Sequence, residues 1–403
     1  MIRVSTSNLY LNSLTSINAD QSAMMNTTAE LSSGKQINSP ADNPVGAAQA
    51  ALIQSDLTQL GQYGKNQSQA TALLNNGSST VTSVINVLQS VNTELVQAGD
   101  SNLSDSDRSA IAAQLQQSFN QLVGLANSSD NQGGYLFGGS QNSSPPFSQN
   151  GNTVTYNGDN IVQGLQISQT RNEQVKYSGQ SVFMEVPTGN GTFVTAASSG
   201  NTGTGAISVG TVANPSQLTG DKYTITIGAG GNSYSVQDTT TNTTVASGAY
   251  SDPTTLSFGG MKMTLSGAPA AGDGFTVAPS GYTSIFNTLS SAITALQTPT
   301  SGSSTALTAM SASVSSALNG TQQALTSMSS TQASMGAQLA ELSNYGNINS
   351  DKTLQDQTQM SSIVDLNYAQ GASQLAQQQT QYQAALQSYA AISKLSLFNY
   401  IQG

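Results

Sequence analysis

Two long segments of helical periodicity meet at a short rigid break, Asn38-Ser39-Pro40-Ala41-Asp42-Asn43-Pro44. Pro40 moves the residue before it out of the helical region of backbone space, so the first helix must end before it. Pro44 suits the first turn of a new helix, which the polar residues just before it can cap. Gly34 precedes the break, where a helix C-cap is expected. The sequence therefore predicts one helix ending near Gly34 and another beginning at Pro44.

Both ends of the chain repeat at alternating intervals of four and three residues, the spacing of a coiled-coil seam. The N-terminal set is Tyr10, Leu14, Ile17, Gln21, Met24, Thr28 and Leu31, and the C-terminal set is Tyr368, Ala372, Leu375, Gln379, Tyr382, Leu386 and Tyr389. Because these seams contain polar residues, a pair of such helices buries too little to fold firmly alone. We predict that they order by assembly through Leu14, Ile17, Met24, Leu31, Tyr368, Leu375, Tyr382, Leu386 and Tyr389.

Helical spacing continues after the break and returns in the last third of the chain. A second helix is expected from Val45 toward Ala98, although three glycines weaken it. Ser104 can cap a third helix whose first turn contains Asp105 and Asp107. Further apolar stripes run over 285–296 and 325–342. Stripes of this kind usually form the buried face of an intramolecular bundle.

The middle of the sequence has the residue pattern of β structure. Thr153–Tyr156 and Ile161–Ile167 flank Asn157-Gly158, a favourable hairpin turn. From 181 to 280 short alternating segments are separated by Gly, Asn, Asp and Pro, which predicts a compact antiparallel β domain.

The predicted fold is therefore α+β: a long antiparallel helical rod built from both chain ends, with an inserted antiparallel β domain. We expect an N-terminal helical leg over 1–43, a helical rod with a hairpin over 44–180, a β-rich outer domain over 181–280, returning rod helices over 281–360, and a C-terminal leg over 361–403. The two legs are expected to pair with each other, as are the two rod segments.

Composition excludes several classes of function. The chain has no His and no Cys, so the usual zinc sites and Ser-His-Asp or Cys-His catalysis cannot form. Its ten Lys and Arg residues are scattered and the net charge is −10, which argues against nucleic-acid binding. No apolar run has the length of a transmembrane helix or of a signal peptide. We predict no enzyme activity, no cofactor and no metal.

Other candidate motifs have structural explanations. Neither Gly34-Lys35 nor Gly64-Lys65 completes a phosphate-binding loop. The acids Asp105 and Asp107 fit the positive end of a helix dipole. The aromatic residues of Tyr135–Phe137 and Phe147 are expected to anchor a loop against the helices.

Several stretches resemble the bacterial flagellin superfamily. The signatures are Leu31–Pro44 near the N-terminus and Ile363–Ala369 near the C-terminus. Further similarity to the hook-associated branch, which joins hook to filament, lies in Arg3–Ser7, Tyr135–Ser140 leading to Phe147, and Leu395–Ile401. The resemblance covers about half of the chain and is weakest over 181–280.

The resemblance implies a structural subunit of the flagellum at the hook–filament junction. It implies extracellular export without a cleavable signal, through the flagellar type III apparatus, after a cytoplasmic chaperone has held the C-terminal helix. Its neighbours would be copies of itself in a ring, the first hook-associated protein on one side and flagellin on the other. Two alternatives remain open: a flagellin-type filament subunit, and a surface adhesin that binds through the β domain.

Overall fold

The computed structural model describes residues 6–130, 133–141 and 143–401, and helices dominate this part of the chain. The helices are α1 (Thr6–Ser33), α2 (Pro44–Ala98), α3 (Asp105–Ala126), α4 (Ile285–Gln297), α5 (Ser304–Val364) and α6 (Tyr368–Ile401). The predicted end at Gly34 and start at Pro44 are confirmed. Helix α2 continues through Gly61, Gly64 and Gly77, so its seven-residue pattern of buried positions outweighs the helix-weakening effect of glycine, about 1 kcal/mol each.

The strands lie between α3 and α4. They are β1 (Phe147–Asn150), β2 (Thr153–Tyr156), β3 (Gly164–Gln166), β4 (Asn172–Gln174), β5 (Val186–Pro187), β6 (Phe193–Ala197), β7 (Ala206–Ile207), β8 (Thr211–Val212), β9 (Tyr223–Ile227), β10 (Ser233–Asp238), β11 (Thr243–Ala249), β12 (Thr254–Phe258), β13 (Met261–Ser266), β14 (Gly274–Pro279) and β15 (Tyr282–Thr283). All the pairings among them are antiparallel.

The chain divides into two compact units. The end unit comprises 1–65 and 345–403, and the middle unit comprises 66–344. Both boundaries fall inside continuous helices, α2 and α5, and not at the predicted positions 43/44 and 360/361. The break at Asn38–Pro44 therefore lies within the end unit.

The middle unit contains an aromatic core among its helices. Phe119 of α3 and Phe286 of α4 meet edge-on with ring centroids 5.9 Å apart, and Phe286 also contacts Phe147 and Phe183. All four rings are buried. Ser104 begins α3 with a capping box that includes Asp107, as the sequence predicts. Phe147 thus anchors the hairpin to α4, and Phe137, whose ring centroid lies 5.1 Å from that of Phe183, anchors its loop to the same cluster.

The inserted β domain belongs to the middle unit and is confirmed as antiparallel. One sheet has the order β11-β10-β9-β14-β6, and a second has β12-β13-β7 with β8 also paired to β13. Alternating residues of β9, such as Ile225, and of β13, such as Met263, meet in one apolar core with Phe275. This burial explains the alternating sequence pattern.

The predicted hairpin turn at Asn157-Gly158 is wrong. Strands β1 and β2 form a hairpin that turns at Gly151-Asn152, with Phe147 opposite Tyr156. The Tyr156 hydroxyl donates to the carbonyl of Phe137 at 3.1 Å, and the chain at Gly158 folds back over that ring. The Asn-Gly pair therefore ends a hairpin, because ring burial decides the pairing.

Candidate assembly surface

The two signature segments meet in a backbone junction within the end unit. The Gln36 amide donates to the Val364 carbonyl at 2.8 Å, and the Leu366 amide donates to the Gly34 carbonyl at 2.9 Å. The side-chain amide of Gln36 adds a bond to the Ile363 carbonyl at 2.7 Å. These bonds set the end of α1 beside the start of α6.

Gly34 has a conformation that this junction requires. Its φ is +69°, in the left-handed region that side chains other than glycine rarely adopt. A Cβ atom there would lie 2.8 Å from the hydroxyl oxygen of Tyr368, the first residue of α6. The glycine thus permits both the turn and the close approach of α6.

Asp42 holds the rigid break together. Its Oδ2 accepts hydrogen bonds from the backbone amides of Ser39 at 2.7 Å and Asn38 at 3.0 Å. These bonds stabilise the ionised carboxylate and lower the pKa of Asp42 below its ordinary value. The break is therefore a bonded turn.

Helices α1 and α6 pack antiparallel as a terminal pair. At one end Gly371 of α6 lies beside Leu31. At the other end Tyr10 and Tyr389 have ring centroids 5.2 Å apart and share a hydroxyl–hydroxyl bond of 2.8 Å. The pairing of the two chain ends is thereby visible along most of α1.

The nine predicted seam residues divide between two environments. Buried or half-buried are Ile17, Met24, Leu31, Leu375, Tyr382 and Tyr389. Exposed are Leu14, Tyr368 and Leu386, with 39%, 58% and 41% of their surface accessible. The side chains of the ending Leu395–Ile401 and of the start Arg3–Ser7 lie outside the described part of the chain.

Each helix of the terminal pair has two rows of residues that face its partner. In both helices, one of these rows lies one position earlier in the chain than the sequence predicts. In α1 the inward residues are Ser13, Asp20 and Thr27, whereas Leu14, Gln21 and Thr28 are exposed. In α6 they are Gly371, Gln378 and Ala385, whereas Ala372, Gln379 and Leu386 are exposed. Both rows keep the alternating spacing, and the row that apolar content favours is the one that the structure leaves exposed. Small inward residues allow close helix approach, and Gly371 within a helical pattern was the available signal.

This arrangement leaves the more apolar row of the terminal pair on the surface. With Ile17 at the first heptad position of α1, Leu14 falls at the fifth, and Leu386 falls at the fifth position of α6, on the same side of an antiparallel pair. Leu11 and Met25 of α1 extend this side and are exposed. We call Leu11, Leu14, Met25 and Leu386 the outward apolar row. This exposed stripe is the candidate assembly surface of the chain.

The rest of the end unit also buries few large apolar side chains. The unit's part of α2 buries Ile53, Leu60 and Tyr63. The unit's part of α5 buries the polar residues Asn349 and Asp356. Large apolar residues of both helices remain exposed, namely Val45, Leu52, Ile348 and Leu354. Helical faces of this composition remain available to further partners.

The described residues do not converge on a chemical site. They include no group of acids placed to hold a metal ion, and none of their helices could cross a membrane. A cavity of about 580 Å³ in the middle unit borders the buried Lys176–Asp130 ion pair, whose N–O distance is 2.7 Å. In another cavity, burial raises the pKa of Glu94, which lies near the Ser118 hydroxyl. These groups connect elements of the unit to each other.

Comparison with known proteins agrees with this architecture. Residues 4–142 match the bacterial flagellin N-terminal helical region, and 196–279 match the D2-like domain of flagellar hook-associated protein 1. Flagellar hook-associated protein 3 of Salmonella typhimurium is 24% identical over 98% of this chain and 99% of its own length. The crystal structure of FlgL from Xanthomonas campestris is 30% identical, with TM-score 0.70, over 76% of this chain and 98% of that one. Hook-associated protein-3 from Legionella pneumophila is 29% identical, with TM-score 0.72, over 78% and 98%.

Paired terminal helices, an inserted β domain and these similarities define a flagellin-like structural protein of the bacterial flagellum. Within that class, the chain belongs to the family of flagellar hook-associated protein 3, also called FlgL.

Proposed function

We propose that this chain joins the hook-associated region to the flagellin filament and that its terminal pair becomes firmly ordered only on assembly. The observation that carries the proposal is the outward apolar row. A monomer leaves Leu11, Leu14 and Leu386 in water, so burial against neighbouring subunits supplies free energy that the isolated pair lacks.

The inward rows explain why the isolated pair is weak. Thr27 is buried, Asp20 and Gln378 are half-buried, and the remaining inward positions include Ser13 and Gly371. Residues of this kind contribute little apolar burial to helix pairing. Such a segment gains order when a partner covers its other face.

The family relationship supports the proposed binding partners. A solved relative from Legionella pneumophila is described as a flagellar junction protein. We propose that copies of this chain form a ring, with the first hook-associated protein on one side and flagellin on the other. Export to the cell exterior with a cytoplasmic chaperone on the C-terminal helix, and a role without catalysis, belong to the same proposal.

The proposal is tested first by deleting the gene and viewing the cells by electron microscopy. We expect hooks without filaments and flagellin released into the medium. Normal filaments in the deletion strain would overturn the junction role. Purified chains that elongate indefinitely by themselves would instead indicate a filament subunit.

A single substitution tests the outward apolar row. Leu386→Asp places a charge on this row and should reduce motile cells at least tenfold at normal protein levels, because a buried unpaired carboxylate costs several kcal/mol. Gln387→Asp, an exposed neighbour on the helix face that points away from α1, is the matched control and should retain motility. Equal motility of the two variants would exclude this row from the interface.

A further inference from the structure

Helices α2 and α5 pack against each other as an antiparallel pair in the middle unit. The side-chain amide of Gln332 on α5 donates to the Thr82 hydroxyl of α2 at 2.8 Å. A Cβ atom on Gly77 of α2 would lie 3.2 Å from the terminal methyl carbon of Met335 on α5. Because 77 precedes 82 whereas 335 follows 332, the two helices run in opposite directions.

Each of the two helices has a buried row that repeats every seven residues, the spacing of positions that face a partner helix. The row of α2 is Ile53, Leu60, Gln67, Leu74, Val81, Leu88 and Leu95, and the row of α5 is Val314, Thr321, Met328, Met335, Leu342, Asn349 and Asp356. Every member of the two rows is at most 9% exposed. Both rows therefore continue into the end unit without a change of interval.

The end-unit members of the α5 row are polar. Asn349 and Asp356 lie two and three heptads beyond Met335 along α5. In the opposite direction along α2, the equivalent buried positions are Leu60 and Ile53. Within the end unit, a polar row of α5 therefore faces an apolar row of α2.

Asp356 weakens this part of the helix pair. Its Oδ2 atom is fully enclosed, and it accepts no hydrogen bond from the residues that the structure describes. A buried carboxylate without a partner costs free energy, because it leaves water without compensation. The core between α2 and α5 thus disfavours their pairing at this level.

The outer faces of the same helix segments are apolar instead. Leu354 of α5 is 65% exposed, and it lies two residues from Asp356, on nearly the opposite face of the helix. On α2, Leu52 is 69% exposed beside the buried Ile53. A segment with a polar core and an apolar outside gains apolar burial when other chains cover that outside.

We propose that the end-unit segments of α2 and α5, residues 44–65 and 345–364, separate in the free subunit and close on assembly. This inference rests on the proposed assembly function and extends it, because that proposal concerns α1 and α6 alone. Separation returns the Asp356 carboxylate to water, which lowers the free energy of opening. In the assembled flagellum, burial of Leu52 and Leu354 supplies the free energy that holds the two segments closed.

Amide hydrogen exchange of the purified full-length chain tests the opening. Peptides from 50–60 and 350–360 should exchange about tenfold faster than peptides from 80–90 and 328–338 of the same two helices, because local opening exposes only the former. Equal protection along each helix would overturn the proposal.

Substitution of Asp356 tests the cause of the opening. Asp356→Asn keeps the size of the side chain and removes its charge, and should slow exchange of the 350–360 peptides about tenfold. Asp356→Leu should slow it further, and if leucine does not fit, Asp356→Asn decides. Asp351→Asn, an exposed acid on the same helix, is the matched control and should change nothing. Unchanged or faster exchange in Asp356→Asn would show that the carboxylate does not weaken the pair, and the proposal would be wrong.

Single cysteines report on closure in the flagellum, because the chain has no cysteine of its own. Leu60→Cys, in the end-unit part of the α2 row, should react with a maleimide about tenfold faster in the free subunit than in isolated flagella. Leu88→Cys, in the same row of the middle unit, is the matched control and should react slowly in both states. Equal rates for Leu60→Cys in the two states would contradict closure on assembly.

The two proposals fail in different ways. If the wild-type gene does not restore filaments to a deletion strain, the junction function is wrong, and the exchange of the purified chain still decides whether the segments open. If the wild type restores filaments and Leu60→Cys reacts equally in both states, only the opening and closing of α2 and α5 is wrong.

Discussion

The two compact units of the chain differ in how they bury apolar side chains. In the middle unit, aromatic rings and alternating strand residues are fully enclosed, as Phe119, Phe286 and Ile225 are. In the end unit, the large apolar side chains that the structure shows as buried are Ile17, Ile53, Leu60 and Tyr63. Most of the exposed large apolar side chains also belong to the end unit, although it is the smaller of the two.

This contrast indicates that the units obtain stability from different sources. The middle unit supplies its own core, so we expect its stability not to depend on contacts with other chains. The end unit leaves many of its large apolar side chains exposed, as the proposed assembly requires. Under the proposed export and assembly, this division places the candidate assembly surface in the unit that buries fewer large apolar side chains.

The largest expected effect is a core deletion in the middle unit. Phe286→Ala removes a ring that contacts Phe119, Phe147 and Phe183, and should lower the free energy of unfolding by about 3–5 kcal/mol. Ile17→Ala in the end unit should cost only about 1–2 kcal/mol, since its inward neighbours on α1, Ser13 and Asp20, are polar. Amide hydrogen exchange of peptides from each unit measures both losses. Equal losses would contradict the contrast between the units.

An intermediate effect is expected at Gly34, where the end unit requires a left-handed backbone conformation. Gly34→Ala combines a φ of +69° with a contact of 2.8 Å to the Tyr368 hydroxyl, and should destabilise the junction by about 1–2 kcal/mol. Gly61→Ala, in open space within α2, should stabilise the helix by up to about 1 kcal/mol. Thermal unfolding followed by circular dichroism compares them. A stable Gly34→Ala protein would show that the turn can relax.

The sequence predicts these two kinds of region with different success. Burial dictates the pattern of the β domain and of α4, so strand alternation and helical stripes could be recognised directly. In the terminal pair, the inward row of Ser13, Asp20 and Thr27 is less apolar than the neighbouring row of Leu14, Gln21 and Thr28. Periodicity cannot choose between two rows with the same spacing when the structure buries the less apolar one.

Long-range polar contacts could not be predicted from the sequence, for a different reason. The Lys176–Asp130 pair joins residues that are far apart in the chain, and nothing local distinguishes either partner. The buried Asp356 resembles any surface acid until the helix faces are known. By contrast, the capping role of Ser104 follows from residues three positions apart and was predictable.

The smallest expected effect is that of Asp42, an exposed carboxylate of the end unit, and it is compared with Asp105, a half-buried carboxylate of the middle unit. In the middle unit, Asp105 accepts hydrogen bonds from Ser301 and Thr300, which lower its pKa below the ordinary value, as Ser39 and Asn38 do for Asp42 in the end unit. A lowered pKa means that the ionised form contributes stability above the carboxyl group's unfolded-state pKa. This contribution is lost as the pH falls through the folded-state pKa.

Asp105→Asn and Asp42→Asn should each lower the melting temperature at neutral pH, and the difference from wild type should shrink as the pH falls below about 4, near the ordinary pKa of Asp. The decrease should be a few degrees at most for the exposed Asp42. It should be larger for Asp105, because this half-buried carboxylate pairs with the buried Arg108 at 3.0 Å. Asp56→Asn in α2, an exposed acid, is the control and should leave the melting temperature unchanged. If Asp42→Asn shifts only local exchange near the break while Asp105→Asn shifts the main unfolding transition, the end unit melts separately from the middle unit. A shift of the same transition by both variants would show that the two units unfold together.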